Sequence, residues 1–204
     1  IPRSVDYLYS SLSEAKDILN WQVSLSVIEI YKEQTRDLLN TDKEKKRLEI
    51  FVSGKEVLIK NLTEQSCKDA DELLSHIMKA QAARKTKTTD FIGHHSSRSH
   101  CVVRISVTQR MVDDTVKSSK MNFGDLAGSE LAARTGAAGD TLKEAGKIHQ
   151  GLLALENVID SLVQKKKHVP YKDSNLTRIL KDSLGGNSKT TLLVACSPHI
   201  WNRA

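Results

Sequence analysis

Aromatic residues make up only 4% of this sequence. A platform on which successive bases of single-stranded nucleic acid stack needs more rings than that, so this class is set aside. Cysteine is sparse as well. Cys67, Cys101 and Cys196 are an odd, widely scattered set with no metal-type C-x-x-C spacing. They suit a reducing compartment and hence a cytoplasmic setting. No apolar run approaches the roughly 18 residues that span a bilayer. The first residues, Ile1-Pro2-Arg3-Ser4, lack signal-peptide architecture. Internal repeats and low-complexity tracts are absent too.

What is present fits a folded chain. A length of 204 residues, with 39% hydrophobic and 27% charged residues, suits one globular domain with a sizeable core. The formal net charge of +6 points to an acidic partner: nucleic acid, an anionic membrane or an acidic protein surface.

The chain is organised around Asn122-Phe123-Gly124-Asp125-Leu126-Ala127-Gly128-Ser129-Glu130. This reads as the end of a strand entering a polar, glycine-bearing turn. In nucleotide-driven machines an aspartate at a strand end holds the water shell of Mg²⁺. A glycine three residues on lets a backbone N–H approach the terminal phosphate, because no Cβ blocks it. By itself the Asp125–Gly128 pair is a weak signal, shared with GTPases and with ordinary strand-to-loop turns. Ser96-Ser97-Arg98-Ser99-His100 upstream changes its weight.

Periodicity sets the expected elements. Ser4 to Asn20 has helical spacing, and Gln22 to Tyr31 alternates as a strand. Arg36-Asp37-Leu38-Leu39 reads as a short turn of helix, and Thr41 to Arg47 as a charged, solvated loop. Leu48 to Leu62 reads as a hairpin of small edge strands around Ser53-Gly54. Cys67 to Lys87 reads as a helix, with the basic end that a helix C-terminus prefers. Cys101 to Thr108 and Lys117 to Asp125 read as a hairpin with its tip at Met111 to Thr115. That hairpin would bring Ser96–Arg98 to the same sheet end as Asp125–Glu130. Leu131 to Gly139 is small and glycine-rich. A long helix is expected from about Leu142 to Gln164, then the basic loop Lys165-Lys166-Lys167-His168. Another helix is expected from Tyr171 to Leu184, stopped by Gly185-Gly186. Thr191 to Cys196 reads as a buried strand, ended by Pro198.

Several of these segments together resemble the kinesin motor domain. They are Ile28-Glu29-Ile30-Tyr31 with Arg36-Asp37-Leu38-Leu39, then Ser96 to His100, then Asp125 to Glu130. His168-Val169-Pro170-Tyr171, Leu176-Thr177-Arg178 and Leu184-Gly185-Gly186-Asn187 follow in order. The similarity covers essentially the whole chain. It implies an α/β fold, a three-layer sandwich with a central mixed β-sheet flanked by helices, of the P-loop NTPase-like kinesin kind. The chain would be one domain over 1–204, a partial motor domain cut at both ends.

The resemblance implies roles at the matching positions. Ser96 and Ser97 would belong to switch I, touching the γ-phosphate of ATP and coordinating Mg²⁺. Small hydroxyls can ligate a hard cation without adding charge. Arg98 would pair with Glu130 across the two switches, closing around the attacking water. Asp125 would hold the Mg²⁺ water shell, and the Gly128 N–H would sense the γ-phosphate. Lys165, Lys166, Lys167, Lys172 and Arg178 are the implied contacts to acidic tubulin. The setting would be the microtubule cytoskeleton, with no nucleic acid and no direct membrane contact. A parent that dimerises through a coiled-coil stalk outside this sequence is compatible with the family.

The family's phosphate-cradling loop, G-x-x-x-x-G-K-[ST], occurs nowhere in these residues. Gly185-Gly186-Asn187-Ser188-Lys189-Thr190 has the wrong spacing and follows a helix rather than a strand. The chain alone is therefore expected not to bind ATP·Mg²⁺ with useful affinity. The Thr191–Cys196 strand is expected either to pair with Lys117–Asp125 or to leave an open gap in the sheet. The sequence also departs from the family pattern at Gly93, Gly124, Leu131, His149, Gly151 and Asn175. Two readings stand: a segment of an ATP-driven microtubule motor, or a kinesin-like module that binds microtubules without turning over nucleotide. A GTPase switch is excluded because no guanine-reading N-K-x-D motif is present. A nucleic-acid binder has no fold signature here.

Overall fold

Alternating apolar residues make Ile18–Tyr31 a long strand, β1, covered on both faces along its second half. Val23, Leu25 and Val27 point to one side, and Ile28 and Ile30 to the other. The two-residue period of a strand separates them in this way. The computed structural model describes residues 1–40, 46–54, 56–85, 98–129 and 140–195.

β1 pairs antiparallel with β6 (His100–Met111), and β6 pairs antiparallel with β7 (Val116–Asp125). On its other edge β1 carries β2 (Gln34–Asp37) beside Ile28–Tyr31 and β5 (Gln65–Cys67) beside Val23–Leu25. The sheet order is β2-β1-β6-β7, and the ladders among the described strands are antiparallel.

Helices cover both faces. On one face α1 (Pro2–Glu14) and α2 (Ala70–Lys85) bring Val5, Leu12, Leu73 and Ile77 into one core cluster with Val23, Leu25, Val103 and Ile105. On the other, α3 (Asp140–Val163) and α4 (Asn175–Ile179) bring Leu155, Leu176 and Ile179 together with Ile28, Ile30 and Val102. The hairpin of β3 (Glu49–Ser53) and β4 (Glu56–Lys60) completes that second layer through Ile50, Val57 and Ile59. Each such side chain contributes about 1.5–3 kcal/mol by leaving water. The α/β sandwich expected from the sequence is the one observed.

The helix expected over Ser4–Asn20 ends at Glu14, with Ile18–Asn20 already in β1, and three further expected elements differ. Arg36–Leu39 is not a turn of helix: it holds the end of β2 and the exit from it. Lys32 and Glu33 have φ of 52° and 62°, the geometry of a two-residue type I′ turn, which sends the chain straight back along β1. Asp37 then closes the strand. Its Oδ1 accepts from the Leu39 and Asn40 N–H groups at 2.9 and 3.3 Å, and its Oδ2 from the Thr63 N–H at 2.8 Å. Pairing with a long neighbour overrides the local helical pattern.

The helix expected over Tyr171–Leu184 is broken into a 3₁₀ turn, Tyr171–Asp173, and the short α4. Ser174 between them is extended, and its Oγ accepts from the Leu176 N–H at 3.0 Å. That is an N-cap, so the helix restarts there. The third difference is Thr191–Cys196. Residues 191–195 form no strand, and Leu192, Leu193 and Val194 are 65%, 91% and 71% exposed. Neither expected outcome holds: among the described residues β7 pairs with β6 alone, and the sheet β2-β1-β6-β7 has no gap. An apolar run of this kind becomes a strand only where a neighbour satisfies its backbone and a layer covers its side chains. Cys196 and Pro198 lie outside the described residues.

Candidate functional site

The register of β6 against β7 decides where the two motif loops lie. Cys101 stands opposite Asp125, so the residues before β6 and after β7 share one end of the sheet. Of the first loop, Arg98, Ser99 and His100 are described. Of the second, Asp125 to Ser129 are described. Ser96, Ser97 and Glu130 lie outside the described residues, and with them the pairing expected between Arg98 and Glu130. The same holds for Gly93 and for the stretch from Leu131 to Gly139.

Arg84, in the last turn of α2, ties these two loop ends together. Its Nη1 donates to Asp125 Oδ2 at 2.8 Å, its Nη2 to the Ser99 carbonyl at 2.7 Å, and its Nε to Ser99 Oγ at 3.1 Å. Ser99 Oγ in turn donates to Glu29 Oε1 at 3.0 Å. The Glu29 side chain, near the C-terminal end of β1, is 3% exposed and faces Arg84 Nε at 3.9 Å and Arg36 Nη1 at 3.5 Å. A buried carboxylate is tolerated when cations and donors surround it in this way.

Nothing in the sequence marks Arg84, since the basic end of α2 reads there as a helix-terminus preference. The guanidinium instead turns inward. The available signal was Glu29, a charge set between Ile28 and Ile30 in an otherwise apolar strand. Such a residue demands a buried partner, but nothing local names one.

His100 holds the second loop. Its Nδ1 accepts from the Ala127 N–H at 3.0 Å. Burial, and then the Arg84 cation, lower its pKa to about 4, with Asp125 working the other way. The ring is therefore neutral at pH 7. Asp125 itself presents a side chain that is 69% exposed, and Gly128 is half-buried. Among the described residues no cluster of three or more His, Cys, Asp or Glu could hold a metal by itself.

The candidate partner-facing residues lie on the other side of the sheet. Lys165, Lys166, Lys167 and Lys172 are exposed between α3 and α4. α3 ends in a Schellman motif: the Lys165 N–H bonds the Leu162 carbonyl at 3.1 Å and the Lys166 N–H bonds the Ser161 carbonyl at 2.9 Å. Arg178 is different. It is half-buried, with Nη2 donating to the Ile50 carbonyl at 2.6 Å and Nη1 to Asn175 Oδ1 at 3.3 Å, so it braces α4 against β3. Glu33, on the β1–β2 turn, caps α4 from outside. Its Oε2 accepts from the Asn175 N–H at 2.7 Å and its Oε1 from Ser174 Oγ at 2.8 Å.

Residues 1–203 match the family model of the kinesin motor domain. The chain belongs to the kinesin motor family. It is 44% identical to the kinesin heavy chain of Syncephalastrum racemosum, across 100% of this chain and 22% of that protein. It is 40% identical to kinesin-related protein 5 of Dictyostelium discoideum, across 99% of this chain and 20% of that protein. A solved structure of a fast kinesin, described for its ATPase mechanism and interactions with microtubules, superposes with a TM-score of 0.84 at 40% identity. The match covers 97% of this chain and 56% of that one. The chain thus spans about a fifth of the length of these two relatives. Kinesins are microtubule-based motors of the cytoskeleton that bind nucleotide, generally ATP with Mg²⁺. No described helix is long and apolar enough to cross a membrane.

Proposed function

We propose that this kinesin segment senses the terminal phosphate of ATP·Mg²⁺ and passes the response to a microtubule-facing surface. The observation that carries the reading is the convergence of Ser99, His100 and Asp125–Gly128 at one sheet end, held by Arg84 from α2. In this reading Gly128 offers its N–H to the γ-phosphate. Ser96 and Ser97 approach the same phosphate, and Arg98 and Glu130 close around the attacking water.

Magnesium fits the residues present. It keeps most of its waters and asks for only one or two carboxylates beside the substrate phosphates. Asp125, exposed and with one oxygen already fixed by Arg84, suits an outer-sphere role, and Ser97 offers a hydroxyl ligand. When bound, the cation neutralises charge developing on the phosphates. Arg84 keeps the Asp125 carboxylate oriented, and His100 keeps the Ala127 backbone in place.

On the opposite layer, Lys165, Lys166, Lys167 and Lys172 supply exposed positive charge for acidic tubulin, with Arg178 setting the position of α4.

Two measurements test the proposal. The first is microtubule co-sedimentation of this chain against a variant with Lys165, Lys166 and Lys167 replaced by Glu. Binding by the chain that the variant loses supports the microtubule surface, and no binding by either overturns it. The second is ATP turnover by the full-length protein that carries this segment. Turnover that falls with Asp125→Ala and Gly128→Ala, while microtubule binding persists, supports the sensing role. Binding with no turnover in the unmutated protein overturns the sensing role.

A further inference from the structure

His100 is 3% exposed at the base of β6, and its ring touches two separate parts of the molecule. One edge faces the loop after β7, where Nδ1 accepts from the Ala127 N–H at 3.0 Å. An Nδ1 that accepts leaves the proton of the neutral ring on Nε2. The other edge faces α3. A Cβ built on Gly151 would lie 3.1 Å from His100 Nε2, 3.2 Å from Glu33 Oε1 and 3.6 Å from Ser174 Oγ. The backbone of α3 therefore comes against the imidazole with no side chain between them. At the same point Glu33 closes the start of α4 through Asn175 and Ser174. The ring thus lies between the Asp125–Gly128 turn and Gly151 of α3, and the β1–β2 turn and the start of α4 come against the same Gly151.

We propose that His100 is a positioning residue that couples the backbone of the Asp125–Gly128 turn to α3 and, through the Glu33 junction, to α4. The functional meaning of the coupling rests on the reading above, in which that turn attends to phosphate and α3 and α4 attend to the microtubule. An imidazole has no internal torsion to absorb a displacement. If Ala127 moves, either its bond to Nδ1 breaks or the ring follows. A ring that follows changes the approach of Nε2 to the Gly151 backbone, which has no side chain to absorb the change. Glycine at 151 is what permits the close approach, and a larger residue there would press on the ring or hold α3 off it.

The test is amide hydrogen exchange, read residue by residue by NMR on this chain, for His100→Asn, His100→Gln and Gly151→Ala. Asn places an amide oxygen near the position of Nδ1, whereas Gln extends toward the position of Nε2. The readout is the exchange rate of Ala127 relative to Val103, a core amide of β6 that reports global opening. His100→Gln is expected to raise that ratio about tenfold, the effect of one lost hydrogen bond, and His100→Asn to restore most of it. Gly151→Ala, remote in sequence from both amides, is expected to shift the ratio as well.

A ratio that stays constant in all three variants overturns the proposal and leaves His100 a core residue. Equal acceleration in His100→Gln and His100→Asn does the same. Exchange needs neither nucleotide nor microtubules. Its failure would leave the motor reading standing, and loss of microtubule binding or ATP turnover would leave the exchange result standing.

Discussion

Arg84 Nη1 lies 2.8 Å from Asp125 Oδ2, and the same guanidinium grips Ser99 through its carbonyl and its hydroxyl. Its two sides are not equal. The Asp125 side chain is 69% exposed, so its arm of the pair contributes about 0–1 kcal/mol. The side toward Ser99 and Glu29 is buried, and removing the cation would leave Glu29 under-paired. Arg84→Ala is therefore expected to cost about 3–5 kcal/mol in urea unfolding, as breaking a buried pair does. Asp125→Ala is expected to cost less than about 1 kcal/mol. Equal losses would mean that the two arms share the work.

Two glycines predict opposite signs. Gly185 has φ of 78°, and a Cβ there would lie 2.6 Å from Leu162 Cδ2. Gly185→Ala combines a left-handed backbone with a clash and is expected to lose about 2 kcal/mol or more. Gly124, in β7 opposite Val102, has nothing within 4 Å of a built Cβ. Gly124→Ala is expected to gain about 0.5–1 kcal/mol by removing unfolded-chain entropy. Thermal melts of the two variants, moving in opposite directions from the parent, check both.

The strands and helices that were legible in the sequence are those whose period carries its own message. β1 alternates, and α2 and α3 repeat at helical spacing, so their positions follow from local pattern. The shared end of β6 and β7 followed from their reading as a hairpin. What was not legible depends on partners distant in sequence. β2 looked helical until the Lys32-Glu33 turn paired it with β1. Residues 191–195 looked buried because their composition is that of a covered strand, while the cover is a property of the surroundings. Arg84 and Glu29 meet from α2 and β1, and no spacing rule connects them. His100 was read as part of a motif, yet its grip on Ala127 and its approach to Gly151 exist only in three dimensions.

Lys165 occupies the left-handed position that ends α3, with φ of 51°. A side chain there costs about 1–2 kcal/mol relative to an unstrained backbone, a cost glycine avoids. Part of that gain returns as unfolded-state entropy, so Lys165→Gly is expected to stabilise by about 0.5–1 kcal/mol. The same substitution removes one exposed cation from the candidate tubulin contact. A variant that melts higher yet sediments less with microtubules would separate the fold role of this residue from its charge role.

His100 makes stability depend on acid. Burial and the Arg84 cation lower its pKa from 6.5 to about 4, against the opposing pull of Asp125. Glu33, from the β1–β2 turn, comes against the same side of Gly151 as the ring. In the unfolded chain the imidazole protonates below pH 6.5, while in the folded chain it stays neutral until about pH 4. The unfolded state therefore binds the extra proton in that window, and stability falls as pH falls through it. The full shift corresponds to about 3 kcal/mol, lost progressively on acidification and fully present above the unfolded value. His100→Asn keeps an acceptor for Ala127 but cannot titrate. Urea midpoints of the parent and this variant, compared at neutral pH and near pH 4.5, read the difference directly. A variant that loses as much stability as the parent on acidification would assign the acid sensitivity to groups other than this imidazole.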